Sequence, residues 1–297
     1  MGVTELGYLG LSVSDGEAWK KYAAELVGME LVDKGEKNRF HLRMDEWSRR
    51  ITVDVDGKDD LNYIGWRVSD PAALNDMADK LTAAKIDFTW GTEAEAEERD
   101  VLGLLKLLSP GGIPTEIFHT PQMDVGKPFH PGRPMYGRFL TGDQGIGHCI
   151  LNEPDVEAAL AFYQLIGLRG GVEYKLELPN GMVAQPIFMS CNDRQHSVAF
   201  GLGPMEKRIN HLMFEYTELD DMGLAHDEIR KQGIDVALQL GKHSNDKALT
   251  FYAGTPSGWL WEMGWGARKS MPQTEYYRGD IFGHGAEAKG YGMDIEL

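Results

Sequence analysis

One pattern occurs four times along this chain, and this repetition constrains the fold more than any other feature of the sequence. Each copy begins with a short apolar run typical of a strand and continues into an amphipathic, helix-like stretch. Strand-like runs separated by Gly, Asn or Asp follow each predicted helix. The four leading runs are LGYLGLSVSD, LNYIGWRVSD, IGHCILNEPD and INHLMFEYTELDD. The sequence therefore predicts an α+β fold made of four βαβββ modules.

An acidic residue stands at the start of each predicted helix. A carboxylate there accepts hydrogen bonds from free backbone amides and interacts favourably with the helix dipole. The four residues are Asp15, Asp70, Asp155 and Asp220. We predict that each is an N-cap or a first-turn carboxylate.

A stretch rich in proline and glycine separates the first two modules from the last two. Residues 124–138 read DVGKPFHPGRPMYGR, and their prolines and glycines are incompatible with a regular helix or a central strand. We therefore predict an N-terminal pair of modules in residues 1–123, a linker at 124–138, and a C-terminal pair in residues 139–297.

The two halves of the chain align with each other, but they carry different side chains at key positions. The matched pairs lie 140, 148 and 146 residues apart, which is a nearly constant offset and indicates duplication. The pairs are His148 with Tyr8, His211 with Tyr63, and Glu262 with Glu116. Only the C-terminal half therefore combines two histidines with a carboxylate.

His148, His211 and Glu262 are the predicted metal ligands. Two imidazoles and one carboxylate on one face leave three positions of an octahedral metal open. Non-haem Fe(II) oxygenases use this arrangement because substrate and O₂ must both reach the metal. The expected ion is Fe(II), with Mn(II) as the alternative.

Composition excludes several classes of function. The formal net charge of −16 disfavours binding to nucleic acid or to an anionic membrane surface. Cys149 and Cys191 are the two cysteines of the chain and form no CxxC pair, which is typical of a reducing compartment. No secretory signal and no long apolar run is evident, so we expect a cytoplasmic protein.

The segment KHSNDKALTFYAGTPSGWLWE, residues 242–262, resembles the signature of the type I extradiol ring-cleavage dioxygenases in the vicinal oxygen chelate superfamily. The resemblance extends over essentially the whole chain and includes GDQGIGHC, LGYLGLSV and GDIFGHGAEAKGYG. It implies two open-barrel domains, each made of paired modules, and a homo-oligomeric assembly. It also implies that O₂ and Fe(II) cleave a bicyclic catechol such as 1,2-dihydroxynaphthalene in aromatic hydrocarbon catabolism. A 2,3-dihydroxybiphenyl-type diol is the alternative substrate.

The same resemblance implies further site residues in the C-terminal half. His196 matches the pocket histidine beside the O₂ position and is expected to be the acid/base. His243 and Tyr252 are expected to orient the ring oxygens, and Asp246 is expected to fix the tautomer of a neighbouring histidine. The N-terminal half is expected to bind no metal, because Tyr8 and Tyr63 replace its histidines. The candidate substrate-binding residues are Phe188, Met182, Asn245, Ile281, Phe282 and His284.

Two other functions are compatible with the same fold, because a fold alone does not define a reaction. A glyoxalase-type metal isomerase needs no O₂, but such enzymes typically use a fuller ligand set with an additional carboxylate. A non-enzymatic ligand-sequestering protein lacks both the metal triad and the HSNDKALTFY segment, and this chain has both.

Overall fold

The computed structural model describes residues 2–177, 183–203, 205–271 and 274–291. Four modules follow one another along the chain, each with one strand, a helix and then three strands of the main sheets. The first module contains β1 (Glu5–Val13), α1 (Gly16–Lys20) with a π-helical continuation (Lys21–Val27), β2 (Glu30–Val32), β3 (Arg39–Arg43) and β4 (Ile51–Val55). The second contains β5 (Asp60–Arg67), α2 (Pro71–Ala83), β6 (Phe88–Trp90), α3 (Glu93–Arg99), β7 (Val101–Leu108) and β8 (Pro114–Pro121).

The second half repeats this plan after a short 3₁₀ turn at Gly142–Gln144. The third module contains β9 (His148–Leu151), α4 (Val156–Ile166), β10 (Arg169–Tyr174), the hairpin β11 (Leu176–Glu177) and β12 (Val183–Ala184), β13 (Ile187–Ser190) and β14 (Val198–Phe200). The fourth contains β15 (Ile209–Tyr216), α5 (Leu219–Lys231), β16 (Val236–Lys242), β17 (Leu249–Gly254) and β18 (Leu260–Trp265). Strand β19 (Glu275–Tyr277) follows. The predicted α+β fold of four modules is confirmed.

Each half forms one large sheet within the part of the chain that the structure describes. The strand order is β2-β3-β4-β1-β5-β8-β7-β6 in the first sheet and β16-β17-β18-β15-β9-β14-β13-β10-β19 in the second. Two modules join in each sheet through their antiparallel leading strands, β1 with β5 and β9 with β15. The leading strands therefore lie side by side at the centre of each sheet.

The helix starts follow the acidic pattern of the sequence. Asp15, Asp70 and Asp155 are N-caps, and each side chain accepts a bond from the backbone amide three residues later. Asp220 lies in the first turn of α5, whose N-cap is Glu218. These carboxylates satisfy free amides and favour the observed helix boundaries.

The hydrophobic core consists of apolar side chains that are buried between the helices and the sheets. One large cluster of buried residues includes Trp19, Trp66, Phe139 and Trp261, and it joins both halves of the chain. The helix α1 contributes to this contact, because the Trp19 ring packs against Trp261 with centroids 5.3 Å apart. Among the described residues, no helix is long and apolar enough to cross a membrane.

Candidate metal centre and active site

Three potential metal-ligating atoms converge at the centre of the second sheet. His148 Nε2 lies 3.3 Å from His211 Nε2 and 3.2 Å from Glu262 Oε2. His211 Nε2 lies 3.1 Å from the same carboxylate oxygen. All three side chains are buried. The structure therefore brings together the three residues that the alignment of the two halves selected.

The spacing of these atoms fits a single divalent ion. Protein ligands hold such an ion at about 2.1 Å, so two ligand atoms at right angles around it lie about 3 Å apart. The observed distances of 3.1, 3.2 and 3.3 Å agree with this spacing. A set of two histidines and one carboxylate is the donor set of non-haem oxygenases. These residues can hold a transition metal with open positions.

The sheet itself places the three ligands. His148 begins β9, His211 lies on β15, and Glu262 lies on β18, and these strands are consecutive neighbours in the sheet. Gly147 allows the close start of β9, because a Cβ there would lie 1.8 Å from the carbonyl oxygen of Met213. Any other residue would displace the strand that carries His148.

An irregularity in β15 fixes the orientation of His211. The register between β9 and β15 shifts between Ile209 and His211, so Asn210 is an additional residue at a β-bulge. Its side-chain Oδ1 lies 2.9 Å from His211 Nδ1 and accepts a hydrogen bond from the Nδ1–H group. The lone pair of His211 Nε2 therefore faces the carboxylate and the metal position.

His196 lies beside the ligands with one ring nitrogen free. Its ring centroid is 3.8 Å from that of His148, and Gln195 Oε1 accepts a bond from His196 Nδ1 at 2.5 Å. The Nε2 atom is buried without a hydrogen-bond partner among the described residues. Burial holds the pKa of His196 well below its usual value, with the neighbouring His148 contributing further. The ring is therefore neutral near pH 7 and can accept a proton at Nε2.

His243 and Tyr252 meet on the other side of the carboxylate. His243 Nε2 lies 2.8 Å from the Tyr252 hydroxyl and 3.0 Å from Glu262 Oε1. Burial alone would lower the pKa of His243, but hydrogen bonds to Asp280 and Glu262 raise it well above its usual value. Burial, followed by the charge of Glu262, raises the pKa of Tyr252. The site thus combines a neutral histidine, a protonated histidine and a neutral phenol.

Asp246 has a different hydrogen-bond partner from the histidine that was expected, so its role stays a prediction that these contacts do not support. Its Oδ1 accepts a bond from the Ala248 amide at 2.8 Å, and no hydrogen bond joins this carboxylate to a histidine within the described ranges. The tight turn after His243 directs the carboxylate to its own backbone. Asp280 contacts a histidine instead, with Oδ1 2.8 Å from His243 Nδ1. No sequence pattern indicates this contact, since Asp280 lies in a glycine-rich segment without periodicity.

A cavity of about 310 Å³ opens in front of the metal centre. Apolar side chains dominate its walls away from the ligands, including Ile150, Leu238 and Tyr174. Four of the predicted substrate-binding residues line it, namely Phe188, Asn245, Phe282 and His284.

The other two predicted substrate-binding residues are Ile281 and Met182. Ile281 does not line the cavity and is half exposed, because successive residues of an extended segment point to opposite sides. Its role as a wall residue stays a prediction that the lining of this cavity does not support. Met182 lies outside the described residues.

The corresponding position of the first sheet contains an arginine. Tyr8 donates a hydrogen bond of 2.6 Å to Glu116, and Arg99 bonds both oxygens of the same carboxylate, the closest contacts being 3.0 Å. The Arg99 guanidinium also lies 3.9 Å from the centre of the Tyr63 ring. A side-chain cation thus satisfies the carboxylate that corresponds to Glu262. That this half binds no metal stays a prediction, and the Arg99 contacts favour it.

Replacing Arg99 with methionine should destabilise the first half of the chain. Glu116 is 4% exposed, and removing its cation leaves a buried charge, which costs about 3 kcal/mol in the free energy of unfolding. Urea unfolding measures this loss. The double variant Arg99→Met/Glu116→Gln, which has no buried charge, should recover most of it. Equal losses in both variants would show that the ion pair does not stabilise this half.

Two family models match the chain, one in each half. Residues 6–55 match the model described as "Dihydroxybiphenyl dioxygenase BphC D1". Residues 145–263 match the "Glyoxalase/Bleomycin resistance protein/Dioxygenase superfamily". The second match includes all three candidate ligands, His148, His211 and Glu262.

Relatives that align with this chain over nearly their full length define its family more closely. The chain is 69% identical to a biphenyl-2,3-diol 1,2-dioxygenase of Sphingomonas paucimobilis, with 100% of this chain and 99% of the relative covered. It is 68% identical to a 1,2-dihydroxynaphthalene dioxygenase of Sphingobium xenophagum, with 99% of each chain covered. A crystal structure of catechol 2,3-dioxygenase superposes with a TM-score of 0.98 at 61% identity, covering 100% of this chain and 99% of the other. The chain therefore belongs to the extradiol ring-cleaving dioxygenases of the vicinal oxygen chelate superfamily, whose members act on catechols with O₂ at a non-haem metal.

Proposed function

We propose that this enzyme cleaves a bicyclic catechol, with 1,2-dihydroxynaphthalene as the preferred type, and that its metal is Fe(II). The observation that carries the proposal is a cavity of about 310 Å³ that is lined both by His148, His211 and Glu262 and by apolar side chains, among them Ile150, Phe188, Leu238 and Phe282. A diol bound with its oxygens towards the three ligand residues leaves the second ring against the apolar walls.

Fe(II) held by these three residues would acidify the diol hydroxyls and bring the ring and O₂ together in the open positions. Three protein ligands leave room for both oxygens of the diol and for O₂. The donor set supports this ion, because imidazole and carboxylate ligands suit iron and no thiolate is present in it. Neither cysteine is a candidate ligand, since Cys149 and Cys191 are absent from the cluster of metal-ligating atoms.

His196 has the properties of the proton-transferring residue. His196 lines the cavity, and its neutral ring has a buried Nε2 without a hydrogen-bond partner among the described residues, which can accept a proton and return it during turnover. The bond from Nδ1 to Gln195 keeps the ring in that tautomer. The apolar contact with Phe188, whose ring lies 4.9 Å away, excludes water from one side of this imidazole.

His243 and Tyr252 are proposed to hold the oxygens of the substrate. Both line the cavity next to Glu262, and the Tyr252 hydroxyl keeps its proton because the pKa is raised. Their N–H and O–H groups can therefore donate to an anionic diol oxygen. Asn245 lines the cavity close by and adds an amide to the same region.

The relative efficiency towards two diols tests the proposed substrate. Purified enzyme loaded with Fe(II) should show a higher kcat/KM for 1,2-dihydroxynaphthalene than for 2,3-dihydroxybiphenyl, and the lowest value for unsubstituted catechol. The reason is that a fused second ring remains in plane with the diol and needs no twist to contact the cavity walls. O₂ uptake measured for each diol gives these values. A higher kcat/KM for the biphenyl diol would assign the enzyme to that substrate instead.

The identity of the metal has a separate test. Enzyme stripped with a chelator and reloaded with Fe(II) should regain O₂ uptake, whereas Mn(II) should restore less. Full recovery with Mn(II) alone would refute the assignment of iron.

We also propose the division into residues 1–123, a linker at 124–138 and residues 139–297. The strands of each large sheet come from one side of this linker, which supports the boundaries. A homo-oligomer in the cytoplasm is part of the same proposal. The two free cysteines favour a reducing compartment, and exposed apolar side chains such as Leu102 and Tyr136 provide surface for assembly.

A further inference from the structure

The chain after β19 returns to the outer edge of the second sheet. There residues 279–287, which we call the strap, lie along β16, the edge strand. Lys242 N donates to Phe282 O and Ile281 N donates to Lys242 O, both at 2.8 Å. Isolated β-bridges join Lys242 with Phe282 and Leu238 with Ala286. The strap therefore covers an edge of β16 that pairs with no other strand among the described residues, and it forms one wall of the cavity.

The strap approaches β16 closely. Gly283 has a φ of +80°, and a Cβ at this residue would lie 2.2 Å from the carbonyl oxygen of Leu240. On the facing strand, a Cβ at Gly241 would lie 2.5 Å from the backbone nitrogen of His284. Glycine at both positions permits backbone-to-backbone contact. The backbone of the strap therefore packs directly against the backbone of β16.

One carboxylate links the strap to the active site. Asp280 Oδ1 accepts from His243 Nδ1 at 2.8 Å, and Oδ2 accepts from His284 Nδ1 at 2.7 Å. His284 is 3% exposed, and its Nε2 lies 2.9 Å from the Thr250 hydroxyl. Asp280 therefore bonds one histidine of the catalytic region and one histidine of its own segment.

The distances among His243, Asp280 and His284 are typical of hydrogen bonds and not of a second metal site. His243, Asp280 and His284 place ligand-type atoms within 4.8 Å of one another. Their nitrogen–oxygen distances of 2.7 and 2.8 Å are typical of N–H···O bonds to a carboxylate. The metal triad has wider distances of 3.1 to 3.3 Å. A proton on each Nδ1 accounts for the geometry without an ion.

We propose that Asp280 is a positioning residue, which orients His243 in the active site and couples that orientation to closure of the strap. With Nδ1 of His243 bound to Asp280, its Nε2 is directed at the Tyr252 hydroxyl and at Glu262 Oε1. Without this bond the ring is free to rotate away from the diol oxygens. The proposal rests on the proposed function, because it takes the contact of His243 with the diol as given.

Asp280→Ala in the Fe(II)-loaded enzyme tests the proposal against a matched control, Glu287→Ala. Glu287 also joins the strap to β16, through a bond of 2.9 Å from Gln239, but it lies outside the cavity. We expect Asp280→Ala to lower kcat about tenfold or more, an effect as large as that of losing the hydrogen-bond partner of a metal-ligating histidine. Bound iron should remain unchanged. Glu287→Ala should change kcat less than about twofold.

Trypsin reports closure of the strap independently of turnover. Arg278 is exposed, and the carbonyl of the following Gly279 accepts a bond from the Ser244 hydroxyl at 2.7 Å. Cleavage after Arg278, followed by mass spectrometry, should be several-fold faster in Asp280→Ala than in the wild-type chain. An unchanged cleavage rate would refute the coupling to the strap.

A double-mutant cycle separates positioning from a merely structural role. In a His243→Ala background, Asp280→Ala should cause no further loss in kcat or in anaerobic affinity for the diol, because the group that it orients is gone. The same loss in both backgrounds would overturn the proposal. So would zinc inhibition that Asp280→Ala abolishes while leaving the zinc-free rate at the wild-type value, because the cluster would then be a metal site.

Failure of the proposed substrate is distinguishable from failure of this proposal. The substrate is judged on the wild-type chain alone, whereas the cycle is measured with whichever diol the wild-type enzyme cleaves. The trypsin experiment and the anaerobic diol titration require no ring cleavage. A wild-type enzyme inactive on bicyclic diols would therefore refute the substrate and leave these measurements decisive for Asp280.

Discussion

His211→Ala should leave an enzyme that folds but neither retains iron nor takes up O₂ with any diol. The substitution removes one of three buried ligand atoms, and the remaining pair, His148 Nε2 and Glu262 Oε2, cannot form a facial set alone. Even partners behind metal ligands change affinity 10- to 100-fold, so loss of a ligand should lower iron affinity at least about 100-fold. Iron content after gel filtration and O₂ uptake measure the effect.

Thermal unfolding provides a readout of metal binding that does not depend on turnover. A ligand that binds only the folded state raises its stability, so Fe(II) added anaerobically should raise the Tm of the wild-type protein. The Tm of His211→Ala should not respond. His130→Ala is the control, because His130 is exposed in the segment between the two sheets and should keep the wild-type response. Iron retention and O₂ uptake in His211→Ala would refute the proposed triad.

His196→Ala should give the opposite combination, namely full iron content with a large loss in turnover. His196 is not among the converging ligand residues, but it lines the same cavity, and its Nε2 has no hydrogen-bond partner among the described residues. General acid–base catalysis contributes about 10²- to 10⁴-fold to a rate, and we expect kcat to fall within this range. Stopped-flow measurement with the anaerobic enzyme–diol complex mixed with O₂ gives the rate directly.

Substrate affinity separates a proton-transfer role of His196 from a role in packing. The anaerobic Kd for the diol should change much less than kcat, because the proposed function assigns the binding of the diol oxygens to the metal, His243 and Tyr252. His196→Gln should lose turnover similarly, since glutamine preserves much of the volume but carries no basic nitrogen. A near-normal kcat in both variants would show that another group transfers the proton.

The fold could be predicted from local sequence patterns. Each module begins with an apolar strand and an acidic helix start, and Asp15, Asp70 and Asp155 became the N-caps that this pattern indicated. These interactions act within a few residues, so they can be recognised without knowing the tertiary contacts. The additional helix α3 and the hairpin β11–β12 were not predicted, because neither belongs to the repeat.

The duplication also selected the members of the metal triad before any contact was known. His148 and His211 occupy equivalent positions of two leading strands, and those strands pair at the centre of the second sheet. The repeat predicts that the two histidines converge, because equivalent positions of equivalent modules lie on the same face of the sheet. The distances of 3.1 to 3.3 Å that suit one ion follow from strand pairing and from the bulge at Asn210.

The sequence by itself therefore determined the module, its fourfold repetition, and the replacement of two histidines by Tyr8 and Tyr63 in the first half. Only the tertiary structure determined which side chains form hydrogen bonds with the site residues and with their counterparts in the first half. It put Arg99 against Glu116, Gln195 behind His196, and Asp280, rather than Asp246, behind His243. The physical reason is that a hydrogen bond between residues 37 positions apart depends on how the strap crosses the sheet edge, and no local propensity records that path.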